Sequence, residues 1–150
     1  MRTIIQAVGV VVLVSLLAIP RPASATVQDD VTSITKSALQ ATLGLTNVQV
    51  NYVSVIGQWG FTSWTVGEGG GDTIMEQING TWNVLAMGHG QMNATLLTQG
   101  VGVPQDIAVA LMYGSCPPLK RHVNRQPLSM SVRRIDKHGK RIDSIIRCPH

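Results

Sequence analysis

The chain is short of charge, of aromatic rings and of cysteine. Of its 150 residues, 13% are charged, 4% are aromatic and two are cysteines. Lysine and arginine are nearly missing from its middle, where Lys36 stands alone between residues 26 and 118. Aromatics are missing from its end, and none follows Tyr113. Each shortage closes off a class of function. Without aromatics, the C-terminal region offers no platform on which nucleic-acid bases could stack. The run Gly67 to Gly71 lacks the lysine and hydroxyl residue of a phosphate loop. No Ser-His-Asp or Cys-His set can be assembled. Ser115-Cys116 is followed by two prolines, with no base beside either nucleophile. Nothing in the sequence points to a cofactor or to a metal.

What is there begins with an address. Arg2 supplies a positive end, Ile4 to Ile19 is apolar and uncharged, and Pro20 breaks the run. Ala23-Ser24-Ala25 is a small-residue cleavage site of the A-x-A kind. This pattern predicts a signal peptide over residues 1–25, removed before Thr26. The apolar run approaches the ~18 residues of a membrane anchor. Gln6, Gly9 and Ser15 dilute it, and no cysteine stands at the cut to carry a lipid. The expected destination is the periplasm or the outside of the cell, where cysteines become disulfide candidates.

The rest divides by charge. Residues 26–118 carry Lys36 against six acids, whereas residues 119–150 carry nine lysines and arginines against Asp136 and Asp143. With 15 glycines and few charges, residues 26–118 read as one compact, turn-rich domain. Residues 119–150 read as a basic C-terminal extension. Cys116 closes the domain and Cys148 stands two residues from the end of the extension, and an even count favours one bridge between them. Closing such a loop stabilises by roughly 3–4 kcal/mol in the chain-entropy picture.

Periodicity supplies the elements. Val31, Ile34, Ala38, Ala41 and Leu45 recur at helical spacing, with Asp29 and Asp30 as caps and Gly44 as the stop. The spacing predicts a helix over about 30–43. Val48, Val50 and Tyr52 alternate with polar residues in a strand that runs to about Ile56. Phe61 to Val66 and Thr73 to Ile78 read as the next two strands, joined by Gly67 to Gly71. Asn79-Gly80 suits a type I′ hairpin, and Trp82, Val84 and Ala86 mark a fourth strand. Asn93 to Leu97 suits a short helical turn. A last helix opens at Pro104, buries Ile107, Ala110 and Leu111, and ends at Gly114. Residues 128–135 and 141–146 read either as a hairpin around His138-Gly139 or as a loosely ordered arm. The predicted fold is α+β: an N-terminal helix on a four-stranded antiparallel meander, then a short C-terminal helix. By analogy this is a cystatin-like architecture.

Several segments carry a likeness. Gly57-Gln58-Trp59, Gly67-Glu68-Gly69-Gly70-Gly71, Asn79-Gly80-Thr81-Trp82, Gly88-His89-Gly90 and Gly102-Val103-Pro104 together resemble a group of small exported bacterial proteins. The resemblance covers about residues 30 to 113. It implies export and the fold, and it carries no functional residue across, because the group has no established function. Chains of that group end soon after the helix that follows Gly-Val-Pro. The stretch beyond Pro118 departs from them.

Candidate site residues are few. His89 lies between two glycines, where its imidazole could meet a ligand, with Glu76 or Asp72 as partners in a small hydrolase. Trp59, Trp64 and Trp82 suit the core of a small sheet domain, and could instead line a ligand pocket between helix and sheet. Trp59, read as part of a turn, is the tryptophan expected to be exposed. The leading expectation is a non-enzymatic exported protein that binds an envelope or extracellular macromolecule. The basic extension adds a salt-sensitive contact with anionic lipid, lipopolysaccharide or nucleic acid.

Overall fold

The computed structural model describes residues 26–115 and 129–147. The proposed signal peptide, Cys116, Cys148 and the bridge between them lie outside the described residues. Among those residues, no helix is long and apolar enough to cross a membrane.

Helix α1 spans Val27–Leu43. Its cap is Thr26, three residues before the expected aspartate. Thr26 accepts from the Asp29 amide, and the Asp29 carboxylate accepts from the Thr26 amide at 2.9 Å. Asp29 is thus the reciprocal partner in a capping box and not the cap itself. Gly44 closes the helix in the left-handed conformation.

Four strands follow: β1 Gln49–Ile56, β2 Trp59–Val66, β3 Gly69–Ile78 and β4 Thr81–His89. Short turns at Gly57-Gln58, Gly67-Glu68 and Asn79-Gly80 join them into the expected meander. Asn79 and Gly80 both take positive φ, 51° and 80°, as a type I′ turn requires. A π-helix, Leu96–Val101, and helix α2, Gln105–Tyr113, come next. Two further strands, β5 Ser129–Ile135 and β6 Arg141–Arg147, complete the fold.

The sheet corrects the expected architecture. It has six strands, in the order β4-β3-β2-β1-β5-β6, and not four. Strand β5 pairs antiparallel with the outer edge of β1, from Tyr52 opposite Arg134 to Ile56 opposite Met130. Without it, the backbone edge of β1 would be unpaired. The cystatin-like picture of one helix on one face fails as well, because both faces are covered. On one face α1 packs Val31 against Val53, Val55, Met75 and Trp82, and Leu39 against Val48 and Trp64. On the other, α2 and the π-helix pack Ile107, Leu111 and Leu97 against Ile56, Phe61, Ile74, Met130 and Val132. This explains why Val53-Ser54-Val55-Ile56 is buried without a break. A strand covered on both sides loses the alternation of a half-buried one.

The first of the two late strands is anchored by an inward arginine. Arg133 is buried on the α1 face, with its side chain 8% exposed. Its guanidinium holds Asp29 of α1 and Asp143 of β6, each at 2.7 Å. Arg141 reaches the same two carboxylates at 3.4 and 2.8 Å. Gln28 adds a hydrogen bond to Ser131. The start of α1 is therefore tied to both late strands.

The Thr26 hydrogen bonds, followed by the bond from Arg133, hold the Asp29 carboxyl below the usual carboxylate range. A depressed carboxyl stabilises the fold above its unfolded value, and that stability is lost as pH falls through the folded value. Melting followed between about pH 6 and pH 2 is expected to show this acid-side loss. The Asp29→Asn variant is expected to melt lower at neutral pH and with a shallower acid limb. An unchanged limb would assign the acid sensitivity to other carboxylates.

Candidate functional site

An open concavity lies on the α2 face, and a reversal of the chain builds it. After β4 the backbone doubles back across the start of β3. The Gly90 amide donates to the Gly70 carbonyl at 2.9 Å, and Gly71 bridges to Gly90. Asp72 then captures the returning strand: its Oδ2 accepts from the Met92 amide at 2.8 Å. Its Oδ1 accepts from the Ser63 hydroxyl at 2.6 Å. Asp72 is 4% exposed, and a carboxylate so buried needs these partners.

This crossing corrects the reading of Gly67 to Gly71 as one connection. The turn uses Gly67 and Glu68 alone, and Gly69–Gly71 already belong to β3. A Cβ on Gly70 would lie 2.5 Å from the Trp64 carbonyl oxygen. The glycines permit close backbone approach, a role that a turn-like composition conceals.

The second wall is the C-terminal end of α2. A helix end leaves carbonyls without partners, and the last turn of α2 has no basic residue of its own. Strands β1 and β5 supply what it lacks. The Tyr52 hydroxyl donates to the Leu111 carbonyl at 2.7 Å, and Arg134 donates to the Tyr113 carbonyl at 3.2 Å. The Arg134 guanidinium also stands 5.8 Å from the centre of the Tyr52 ring. Burial pushes the Tyr52 phenol above the ordinary tyrosine value, against the pull of Arg134.

Between these walls lies an open cleft of about 460 Å³. Asn51, Ser63, Thr65 and Asp72 give its floor a polar character. Asn51 donates to the Thr65 hydroxyl at 3.0 Å. Gln91, Met92, Met112 and Tyr113 line it from the returning segment and from α2. Tyr113 is 67% exposed. The chemistry on offer is hydrogen bonding along the floor and stacking at the rim. Ser63 is the hydroxyl nearest to a carboxylate, but Asp72 spends its other oxygen on the Met92 amide. No imidazole stands between them, as activation of a serine would require.

Of the proposed site residues, Asp72 lines this cleft, whereas His89, Glu76 and Trp59 do not. His89 ends β4, is exposed, and meets the Trp64 ring edge-to-face at 5.5 Å between centroids. Trp64 packs on the α1 face, whereas Asp72 faces the α2 side with Ser63 and Met92. His89 and Asp72 are thus on opposite faces of the sheet. Glu76 is four residues from Asp72 along β3, about 13 Å away at strand rise. It accepts from Gln58 at 2.7 Å and pairs with Trp59. The three residues of the hydrolase reading are not brought together.

Trp59 opens β2 and packs against the α2-side core instead of standing in a turn. Trp64 and Trp82 are buried, and only Trp64 of the three tryptophans lines this cleft. Among the described residues, no group of three or more His, Cys, Asp or Glu side chains could hold a metal ion. Sequence reasoning missed Asn51, Ser63, Thr65, Gln91 and Tyr113. The period of two in Ser63 and Thr65 was the available signal, but both also suit a solvated strand face. No family model, curated protein or solved structure matches the chain, so the cleft is read from its own geometry.

Proposed function

We propose that the chain is an exported, non-enzymatic binding protein whose cleft receives a polar segment of an envelope or extracellular macromolecule. One observation carries the reading: the cleft presents hydrogen-bonding side chains and an exposed aromatic rim, while each oxygen of its buried carboxylate already accepts a hydrogen bond from the protein. A site so furnished holds a ligand without activating it. Its open mouth suits a segment of a longer polymer better than an enclosed small molecule. The Ala23-Ser24-Ala25 pattern and the resemblance to exported proteins support the location. In the basic extension, exposed Lys137, Lys140 and Arg147 could add a salt-sensitive contact.

The test is capture by the Thr26–His150 chain from an envelope extract. Binding of peptidoglycan, lipopolysaccharide and extended-peptide fragments is then measured directly. Tyr113→Ala leaves the core untouched and is expected to weaken binding about tenfold by removing the rim contact. Retention of no polymer, or equal binding by Tyr113→Ala, would overturn the cleft assignment. Saturable uptake of small molecules without polymer retention would favour the ligand-carrier reading.

A further inference from the structure

Thr26 is the residue at which the proposed export cut would leave a new chain end. It is also the N-cap of α1. Its backbone nitrogen lies 2.9 Å from Asp29 Oδ2, and its hydroxyl donates to the same oxygen at 2.7 Å. The hydroxyl oxygen further accepts from Arg133 at 3.1 Å. A backbone nitrogen pointing at a carboxylate is the ordinary half of a capping box. Its placement one bond after Ala23-Ser24-Ala25 gives it a second meaning.

We propose that Ala25–Thr26 is a processing bond and that the α-ammonium released on Thr26 is a structural group, joining the Asp29, Arg133 and Asp143 network. The inference rests on the export reading above. The step is hydrolysis by a leader peptidase of the export machinery. Water adds across the amide, the C–N bond breaks, Ala25 leaves with a carboxylate, and Thr26 keeps the nitrogen as an ammonium. The neutral amide donor at Asp29 is thereby replaced by a charged one, which makes the stronger hydrogen bond.

The charges around this point favour the exchange. Asp29 and Asp30 lie in the first turn of α1, Arg133 on β5, and Arg141 and Asp143 on β6. Asp29 and Asp143 hold the two guanidiniums, and exposed Asp30 in the first turn of α1 adds a third negative charge near the Thr26 nitrogen. An ammonium at a helix N-terminus opposes the helix dipole. Direct contact with Asp29 outweighs that term, because a charge-assisted hydrogen bond is worth more than an exposed dipole effect. Placement is strict: a start at Ala25 carries the ammonium about 3.8 Å along the chain. A start at Val27 deletes the cap.

Three Thr26–His150 chains test the role: one with a free amine, one N-acetylated, and one carrying Ala25 as an extra residue. At pH 6 and low salt the free-amine chain is expected to melt about 3 °C or more above the others. The advantage is expected to vanish in an Asp29→Asn background. It is also expected to fade as pH rises beyond the amine's ordinary titration near about 8. Equal melting of the free and acetylated chains would overturn the structural role. The intact mass of protein recovered from export-competent cells tests the cut separately. A start at Thr26 supports the processing bond, and a start elsewhere overturns it. A full-length chain retained in the cell overturns the export reading itself. A start at Thr26 with indifferent melting removes the structural role and leaves export standing.

Discussion

Replacing Gly71 with alanine is expected to lower the melting midpoint by more than about 10 °C, the shift that follows from a loss above about 3 kcal/mol in a domain of this size. A Cβ at this position would stand 1.9 Å from the Gly88 carbonyl oxygen and 2.8 Å from a ring carbon of Trp64. The first obstacle is backbone and the second is a fully packed ring, so neither can swing aside. Gly71 and Gly88 lie where β3 and β4 meet, beneath the returning segment. Moving them apart disturbs the crossing on which the cleft depends. Gly-to-Ala exchange also restricts the unfolded chain, which stabilises by about 0.4–1 kcal/mol where alanine fits. Here the clash is larger. Gly69→Ala is the control, because its Cβ would meet nothing closer than the Val66 carbonyl oxygen at 3.6 Å. Thermal melts of the two variants measure the contrast, and near-equal midpoints would contradict the close approach at Gly71.

Trp64→Ala is expected to cost about 3–5 kcal/mol, the range for deleting a buried aromatic side chain. Trp64 is 1% exposed and packs with Leu39 and Val48 beneath α1. Its indole N–H donates to the Thr73 hydroxyl at 3.1 Å. Truncation therefore opens a cavity and leaves the buried Thr73 hydroxyl without that donor. Trp64→Phe keeps most of the ring and loses the hydrogen bond. Its expected cost is nearer about 1–2 kcal/mol. Denaturant midpoints at constant slope give the order parent, Phe, Ala. Equal losses for the two substitutions would mean that the hydrogen bond, and not the packing, holds this region.

Much of the domain was legible because its local signals agree. The helical spacing from Val31 to Leu45 yielded α1 apart from its first turn, and Asn79-Gly80 yielded the β3–β4 hairpin. Pro104 and Gly114 bracketed α2. The errors have physical causes. The hairpin reading of residues 128–135 and 141–146 holds, but its place beside β1 was hidden, because the inward cation Arg133 breaks the apolar period and is made tolerable by the distant partners Asp29 and Asp143. Gly69 to Gly71 imitated a loop because close backbone approach and turn formation call for the same residue. Trp59 was placed in a turn that ends one residue earlier. The cleft was illegible for a different reason. Its wall segments, around Asn51, Ser63, Asp72, Gln91 and Tyr113, meet through a chain reversal and a helix docking that no local pattern encodes.

The position of β5 bears on the order of events as the chain is made. The first strand of the sheet has the meander on one side and, on the other, a strand from the far end of the sequence. Tyr52 pairs with Arg134, across more than half of the chain. So distant a pairing is slow to form, because a large loop must close before any contact rewards it. A ribosome delivers the meander first, and β1 then waits with one edge bare until Ser129 and the residues after it have emerged. The last edge of β1 is thus covered only when synthesis is nearly over.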